Sequence, residues 1–191
     1  MKKGCILCLL ISVISLPLIA QNIIYSNLKE LLTQHGDTTA VLRVEKRSRN
    51  QIVLTGGADY RITAGDDELM CRRLKKRCFA VRDEKGDLYL NCRKLRYKKL
   101  RFGAWYAPAV QLGKNIYFCA MPLGSVIGGN FVEEDDVKLG GNIGDALAAS
   151  SLVTKRVCYE LNGETGKVDF LGKDKMLQLL ENYPELKQAY L

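Results

Sequence analysis

Trp105 to Met121 reads WYAPAVQLGKNIYFCAM: two alternating runs, Trp105–Leu112 and Asn115–Met121, joined at Gly113-Lys114. Alternation with period two puts every second side chain on one face of a strand, and a short link containing glycine closes an antiparallel hairpin. The same texture recurs on both sides. Cys78–Arg82 and Leu88–Cys92 read as strands flanking a turn at Lys85-Gly86-Asp87, and Arg156–Leu161 and Lys167–Leu171 as a hairpin over Asn162-Gly163-Glu164-Thr165-Gly166. Towards the N-terminus, Val41–Lys46 and Gln51–Thr55 read as strands around the polar link Ser48-Arg49-Asn50. Gly56-Gly57 breaks the second, and Tyr60–Thr63 continues it.

Helices punctuate these strands. Asn27 with Glu30 three residues later is a capping pair, Leu28, Leu31 and Leu32 share one face, and Gly36 stops the helix. Gly65-Asp66-Asp67-Glu68 opens a second helix with acids in its first turn and Arg72–Arg77 at its end, charge matched to the helix dipole. A last helix starts near Asp174 and is expected to bury Met176, Leu177, Leu180 and Tyr183, with Pro184 starting one further turn. Consecutive strands with short links favour antiparallel pairing with helices packed on the sheet. The expected fold is therefore α+β: one domain, a mainly antiparallel sheet, and helices near the N-terminus, mid-chain and at the C-terminus.

Leu123–Ser151 breaks the pattern. It shows no strand alternation, its glycines cluster at Gly124, Gly128, Gly129, Gly140, Gly141 and Gly144, and Glu133-Glu134-Asp135-Asp136 lies between the clusters. A glycine-rich loop region at about 123–151 is expected, with a short helix of small residues at Asp145–Ser150. Gly140-Gly141-Asn142-Ile143-Gly144 does not match the dinucleotide pattern, and the acidic run lacks the alternating ligands of an EF-hand.

At the other end, Lys2 and Lys3 precede an apolar stretch from Cys5 to Ile19 that ends at Ala20. That order is a secretory signal peptide, residues 1–20, cleaved after Ala20; an uncleaved anchor is the alternative. Cys5 and Cys8 lie at the start of the apolar run rather than its end, which argues against a lipid anchor. The expectation is an exported protein, periplasmic or envelope-associated, with residues 21–191 as its single domain. Cleavage leaves Cys71, Cys78, Cys92, Cys119 and Cys158, an odd number for an oxidising compartment. Buried thiols, one disulfide and a reactive thiol all remain open. No Cys-x-x-Cys occurs, and no metal or cofactor is expected.

The 191 residues carry a net charge of +8 and a single histidine, His35, at the end of the first helix. No G-x-S-x-G is present, and no catalytic residue stands out. The charge is concentrated. Cys71 to Arg101 holds thirteen cations against three acids, a net +10 that leaves −2 for the rest. Within it, Arg93, Lys94, Arg96, Lys98, Lys99 and Arg101 are the candidate anion-binding residues, and Tyr97, Trp105 and Tyr106 the candidate stacking residues. Cations attract phosphate or sulfate, while aromatic faces stack on sugar rings or bases. The pattern resembles a nucleic-acid surface, but export puts intracellular nucleic acid out of reach. The same charges also suit a solvated face, with Arg93–Arg101 as an edge strand protected from aggregation.

Four phrases carry a resemblance: LPLIAQ at 16–21, LRVEKRSRNQIVLTGGADYRIT at 42–63, CRKLRYKKLRFGAWYA at 92–107, and YELNGETGKVDFLGKDKMLQLLENYPELKQAYL at 159–191. Together they resemble an uncharacterised family of small exported proteins from Bacteroidetes-type bacteria. The resemblance implies an envelope location in a two-membrane bacterium and brings no catalytic motif. The expected function is that of a non-enzymatic envelope protein whose basic, aromatic surface takes an anionic glycan, lipopolysaccharide or lipid headgroup. The second reading is an interaction partner of another envelope protein, bound through the glycine-rich segment. An enzyme is the least favoured reading.

Overall fold

The computed structural model describes residues 21–39, 41–123, 125–127, 130–132 and 155–191. The expected signal peptide, the acidic run at 133–136, the second glycine cluster and the helix expected at 145–150 lie outside the described residues.

In chain order the elements begin with β1 (Asn22–Tyr25), α1 (Leu28–Leu32), β2 (Asp37–Thr39), β3 (Arg43–Lys46), α2 (Arg49–Thr55), β4 (Tyr60–Thr63) and α3 (Glu68–Lys76). Next come β5 (Ala80–Arg82), β6 (Leu88–Asn91), a 3-10 turn at Cys92–Lys94, β7 (Arg96–Tyr97), β8 (Leu100–Arg101), β9 (Tyr106–Leu112) and β10 (Asn115–Ala120). The chain closes with β11 (Ser125–Ile127), β12 (Asn130–Val132), β13 (Val157–Leu161), β14 (Val168–Phe170), α4 (Lys173–Leu179) and α5 (Pro184–Tyr190).

Ten of the strands form one antiparallel sheet. Eight run in the order β14-β13-β10-β9-β6-β5-β1-β2, and the β3–β4 hairpin joins β9 at Tyr60↔Tyr106. The fold is α+β, as expected, and both quoted hairpins form: β9 pairs β10 across Gly113-Lys114, and β13 pairs β14. The expected cap also forms, with Asn27 accepting from the Glu30 N–H at 2.9 Å, and α3 is capped by Asp67, which accepts from the Met70 N–H at 2.9 Å.

Three expectations are corrected. Gln51–Thr55 is helical, not a strand. Ser48 and Gln51 close a reciprocal capping box that satisfies two orphan N–H groups, and this outweighs the β-branched texture of Ile52-Val53. Ile52 alone is buried, while Leu54 is 82% exposed. Leu123–Ser151 does contain strands: β11 and β12 pair with each other, apart from the main sheet, where apolar runs flank Gly128-Gly129. Met176, Leu177 and Leu180 are half-buried rather than buried, and Tyr183 is 59% exposed, because the chain turns there into α5, where Pro184 occupies the first turn.

The period-two alternation divides the core between the two faces of the sheet. On the first face Tyr25, Ala80, Leu90, Ala107, Ile116, Phe118, Tyr159 and Leu161 pack under α1 and the β7–β8 arm. Tyr159 is the hub of an aromatic cluster, with ring centroids 4.7 Å from Phe102, 5.5 Å from Phe118, 5.8 Å from Tyr97 and 6.0 Å from Phe170. On the second face Ile24, Val81, Tyr89 and Tyr106 pack against Leu74, Met70 and the β3–β4 hairpin. Farther along this face α4 is held by Lys175, which pairs with the buried Glu160 carboxylate on β13.

Candidate functional site

The second-face core ends in a cleft of about 470 Å³ between the β3–β4 hairpin, α3 and the loop leading into β9. The register builds one wall. Arg43 lies opposite Thr63 and Glu45 opposite Arg61, so all four side chains share one face of the hairpin and line the cleft. Lys75 enters from α3, Arg93 from the 3-10 turn and Trp105 from the start of β9. The lining cations are thus Arg43, Arg61, Lys75 and Arg93, against the acids Glu45 and Asp66, and Glu45 is already paired with Arg43 at 2.7 Å. The cleft is net positive.

Trp105 is half-buried and sits at φ +76°, a left-handed conformation that costs a bulky residue free energy. Its ring is held by cations: the Arg47 guanidinium lies 4.9 Å from the ring centroid and that of Arg61 5.8 Å. Arg47 is itself only 7% exposed. It donates to the carbonyls of Gly56 at 2.8 Å, Ala58 at 2.6 Å and Gln51 at 2.9 Å, and to the Thr55 hydroxyl. Burial pushes its pKa down, and Asp59 opposes that shift. Asp59 in turn holds Arg156 through two hydrogen bonds, tying the start of β13 to the loop before β4.

Both ends of a basic arm meet this cleft. Arg93 and Ala104 line it, and between them the chain runs out through β7, a two-residue turn at Lys98-Lys99, and back through β8. All six candidate cations, Arg93, Lys94, Arg96, Lys98, Lys99 and Arg101, are exposed, and none is ion-paired among the described residues. Arg96 and Arg101 occupy the same register position on opposite strands. Lys98 adopts φ +52° in the turn, with its ammonium 5.7 Å from the Tyr97 ring centroid.

The structure brings these residues together unequally. Of the six cations, Arg93 reaches the cleft; the other five decorate the turn and the arm. Of the three aromatics, Trp105 and Tyr106 line the cleft, and Trp105 is the more exposed of the two. Tyr97 turns into the first-face cluster. Tyr106 is 3% exposed, donates its hydroxyl to the Leu74 carbonyl at 2.8 Å, and is pushed strongly up in pKa by burial. Sequence reasoning missed Arg43, Arg61 and Lys75, which are dispersed along the chain and converge only through the β3–β4 register and the α3 contact.

The sequence profile of a family of unknown function, DUF6563, matches residues 23–191. The chain belongs to that family. The match bears out the resemblance to an uncharacterised family and begins just past the expected cleavage after Ala20. No curated protein and no solved structure matches the chain.

A second concavity of this DUF6563 member lies on the same sheet face, beneath α4 and α5. It encloses about 640 Å³ and is lined mainly by apolar groups, among them Tyr60, Tyr89, Pro108, Met176 and Leu180, with Cys119 and Cys158 on its floor. His35 is exposed at the end of α1, where its Nδ1 donates to the Thr33 carbonyl at 2.6 Å. Among the described residues no cluster of three histidine, cysteine or carboxylate side chains could hold a metal ion, and no helix is long and apolar enough to cross a membrane.

Proposed function

We propose that this protein is an exported, non-enzymatic binding protein for an anionic polymer of the cell envelope: an acidic glycan, lipopolysaccharide or a lipid headgroup array. The arm engages successive phosphates or sulfates, and the cleft seats one unit against Trp105. The observation that carries this reading is the pairing of Arg96 with Arg101. Like charges directly opposite each other in a strand pair are destabilising, and no acid relieves them among the described residues. A polyanion supplies the missing charge. A strained lysine in the turn and a strained tryptophan in the cleft fit the same reading, since backbone strain clusters where ligands are held.

Export in this proposal rests on the leader: Lys2 and Lys3, the apolar run and Ala20, with the family match beginning beyond it. The test is titration of the protein with lipopolysaccharide, a sulfated glycan and anionic vesicles across a salt series, with duplex DNA as comparison. Saturable binding that weakens with salt is expected, because ion-pair binding releases counterions. Neutralising Arg96, Lys98, Lys99 and Arg101 together should abolish it while the fold is kept. Unchanged binding in that variant would overturn the reading.

A further inference from the structure

Cys119 on β10 and Cys158 on β13 stand directly opposite each other in the antiparallel register, with their sulfurs 3.2 Å apart. Directly opposed residues of an antiparallel pair have Cα atoms about 4.5 or 5.5 Å apart, inside the window that a disulfide requires. Among the described residues, the other three cysteines lack such a neighbour. Cys78 packs in the second-face core and Cys92 in the first-face core, so the sheet separates them. Cys71 lies at the cleft, where its sulfur accepts from the Ala64 N–H at 3.3 Å.

We propose that Cys119 and Cys158 are a disulfide-forming pair, oxidised by thiol–disulfide exchange with an external disulfide, and that their bond locks the base of the glycine-rich segment. The two positions are 39 residues apart and enclose the whole of Leu123–Ser151. Closing them staples β10 to β13 at the point where the chain leaves and re-enters the sheet. The inference is independent of the anion-binding reading, since neither thiol belongs to the arm or the cleft.

The exchange balances. The Cys119 thiolate attacks one sulfur of the external disulfide and expels one thiolate, leaving a mixed disulfide. The Cys158 sulfur, losing its proton, then attacks Cys119 and expels the second thiolate. The protein gives up two protons and two electrons, and the external disulfide leaves as two thiols. Both residues are half-buried on the floor of the 640 Å³ groove rather than sealed in the core. The sulfur–sulfur hydrogen bond eases the first deprotonation: a proton donated by Cys158 draws the Cys119 thiol down to about 7, and Cys158 itself is pushed up. A thiol near ambient pH is the effective attacking partner in exchange.

The experiment equilibrates the full-length protein with a series of reduced and oxidised glutathione mixtures, blocks free thiols, digests with trypsin and maps the peptides by mass. At the oxidising end, the peptide beginning at Asn115 should be recovered joined to the one beginning at Val157, with Cys71, Cys78 and Cys92 unlinked. The bridge should revert to two blocked thiols at the reducing end. Recovery of Cys119 and Cys158 as separate peptides across the whole series would overturn the proposal, as would linkage of either to another cysteine. Because the native protein is read directly, no variant has to fold.

Discussion

Arg96 and Arg101 face each other across the β7–β8 arm, both exposed and neither ion-paired among the described residues. Replacing one by an acid, Arg101→Glu, converts a repelling cross-strand pair into an attracting one, which is worth roughly 0.2–1 kcal/mol. The urea midpoint should therefore rise while affinity for a sulfated glycan falls. Opposite movements of stability and binding are what a functional charge pair produces. A variant that is less stable and binds unchanged would make the arm a solvated edge.

Trp105 is the only tryptophan in the chain and lines the cleft. Its emission therefore reports directly on what enters. Titration with an anionic sugar should shift or quench the fluorescence, and Arg61→Gln combined with Arg93→Gln should weaken the response by roughly tenfold, the effect of about 1.4 kcal/mol. A full response in the double variant would mean that neither arginine holds the ligand beside Trp105.

The contrast between Arg47 and Arg43 separates buried from exposed cations. Arg47→Met leaves the Gly56 and Ala58 carbonyls without the guanidinium donor that now satisfies them and opens a gap beneath Trp105, at a cost of about 3 kcal/mol or more. Arg43→Met breaks a surface pair whose arginine side chain is 75% exposed, and such pairs are worth about 0–1 kcal/mol. Paired denaturant titrations should show a large shift for the first and almost none for the second.

Both of these arginines show where the sequence is legible and where it is not. The hairpins at 106–120 and 157–170 were readable because alternation and glycine-containing links are local signals. The arm's cations were readable as a charge run for the same reason. Residues 49–55 misled because Ile52-Val53-Leu54 has strand texture, while the Ser48–Gln51 box that makes it a helix is a spacing of two polar residues. The cleft was invisible: Arg43, Arg61 and Lys75 meet only once β3 pairs with β4 and α3 packs beside them. The Cys119–Cys158 juxtaposition likewise depends on register across two separate hairpins, which no local pattern encodes.

Gly57 is where backbone close approach is most exacting. It holds φ +82°, and a Cβ added there would sit 2.4 Å from the Ala104 carbonyl oxygen, which already accepts from the Ala58 N–H at 2.9 Å. Gly57→Ala must therefore displace the loop carrying Trp105, at a cost of about 2–4 kcal/mol. Gly86 has a similar φ of +87° but open space around it, so Gly86→Ala should cost only about 1 kcal/mol. Chemical denaturation of the two variants checks the ranking, and equal losses would mean that conformation alone, not the Ala104 contact, sets the cost.

Buried thiols set the alkaline limit of the fold. Burial pushes Cys78 up to about 11 and Cys92 up to about 12, from 9.0 in the unfolded chain. Above pH 9 the unfolded state sheds these protons while the folded state keeps them, so the folded state binds more protons and stability falls as pH rises. The loss is about 1.4 kcal/mol per thiol per pH unit between the unfolded and folded values. Below pH 9 these groups contribute no slope. Tyr89, raised from 10.0 to about 12, acts in the same direction but only from pH 10 upward. Urea midpoints of the reduced protein measured between pH 9 and 11 should therefore decline steadily. In a Cys78→Ala, Cys92→Ala variant the decline should be shallower, because only Cys158 and the tyrosines then remain to drive it. The variant is less stable at every pH, so the steepness of the slope, not the absolute midpoint, is the quantity that decides.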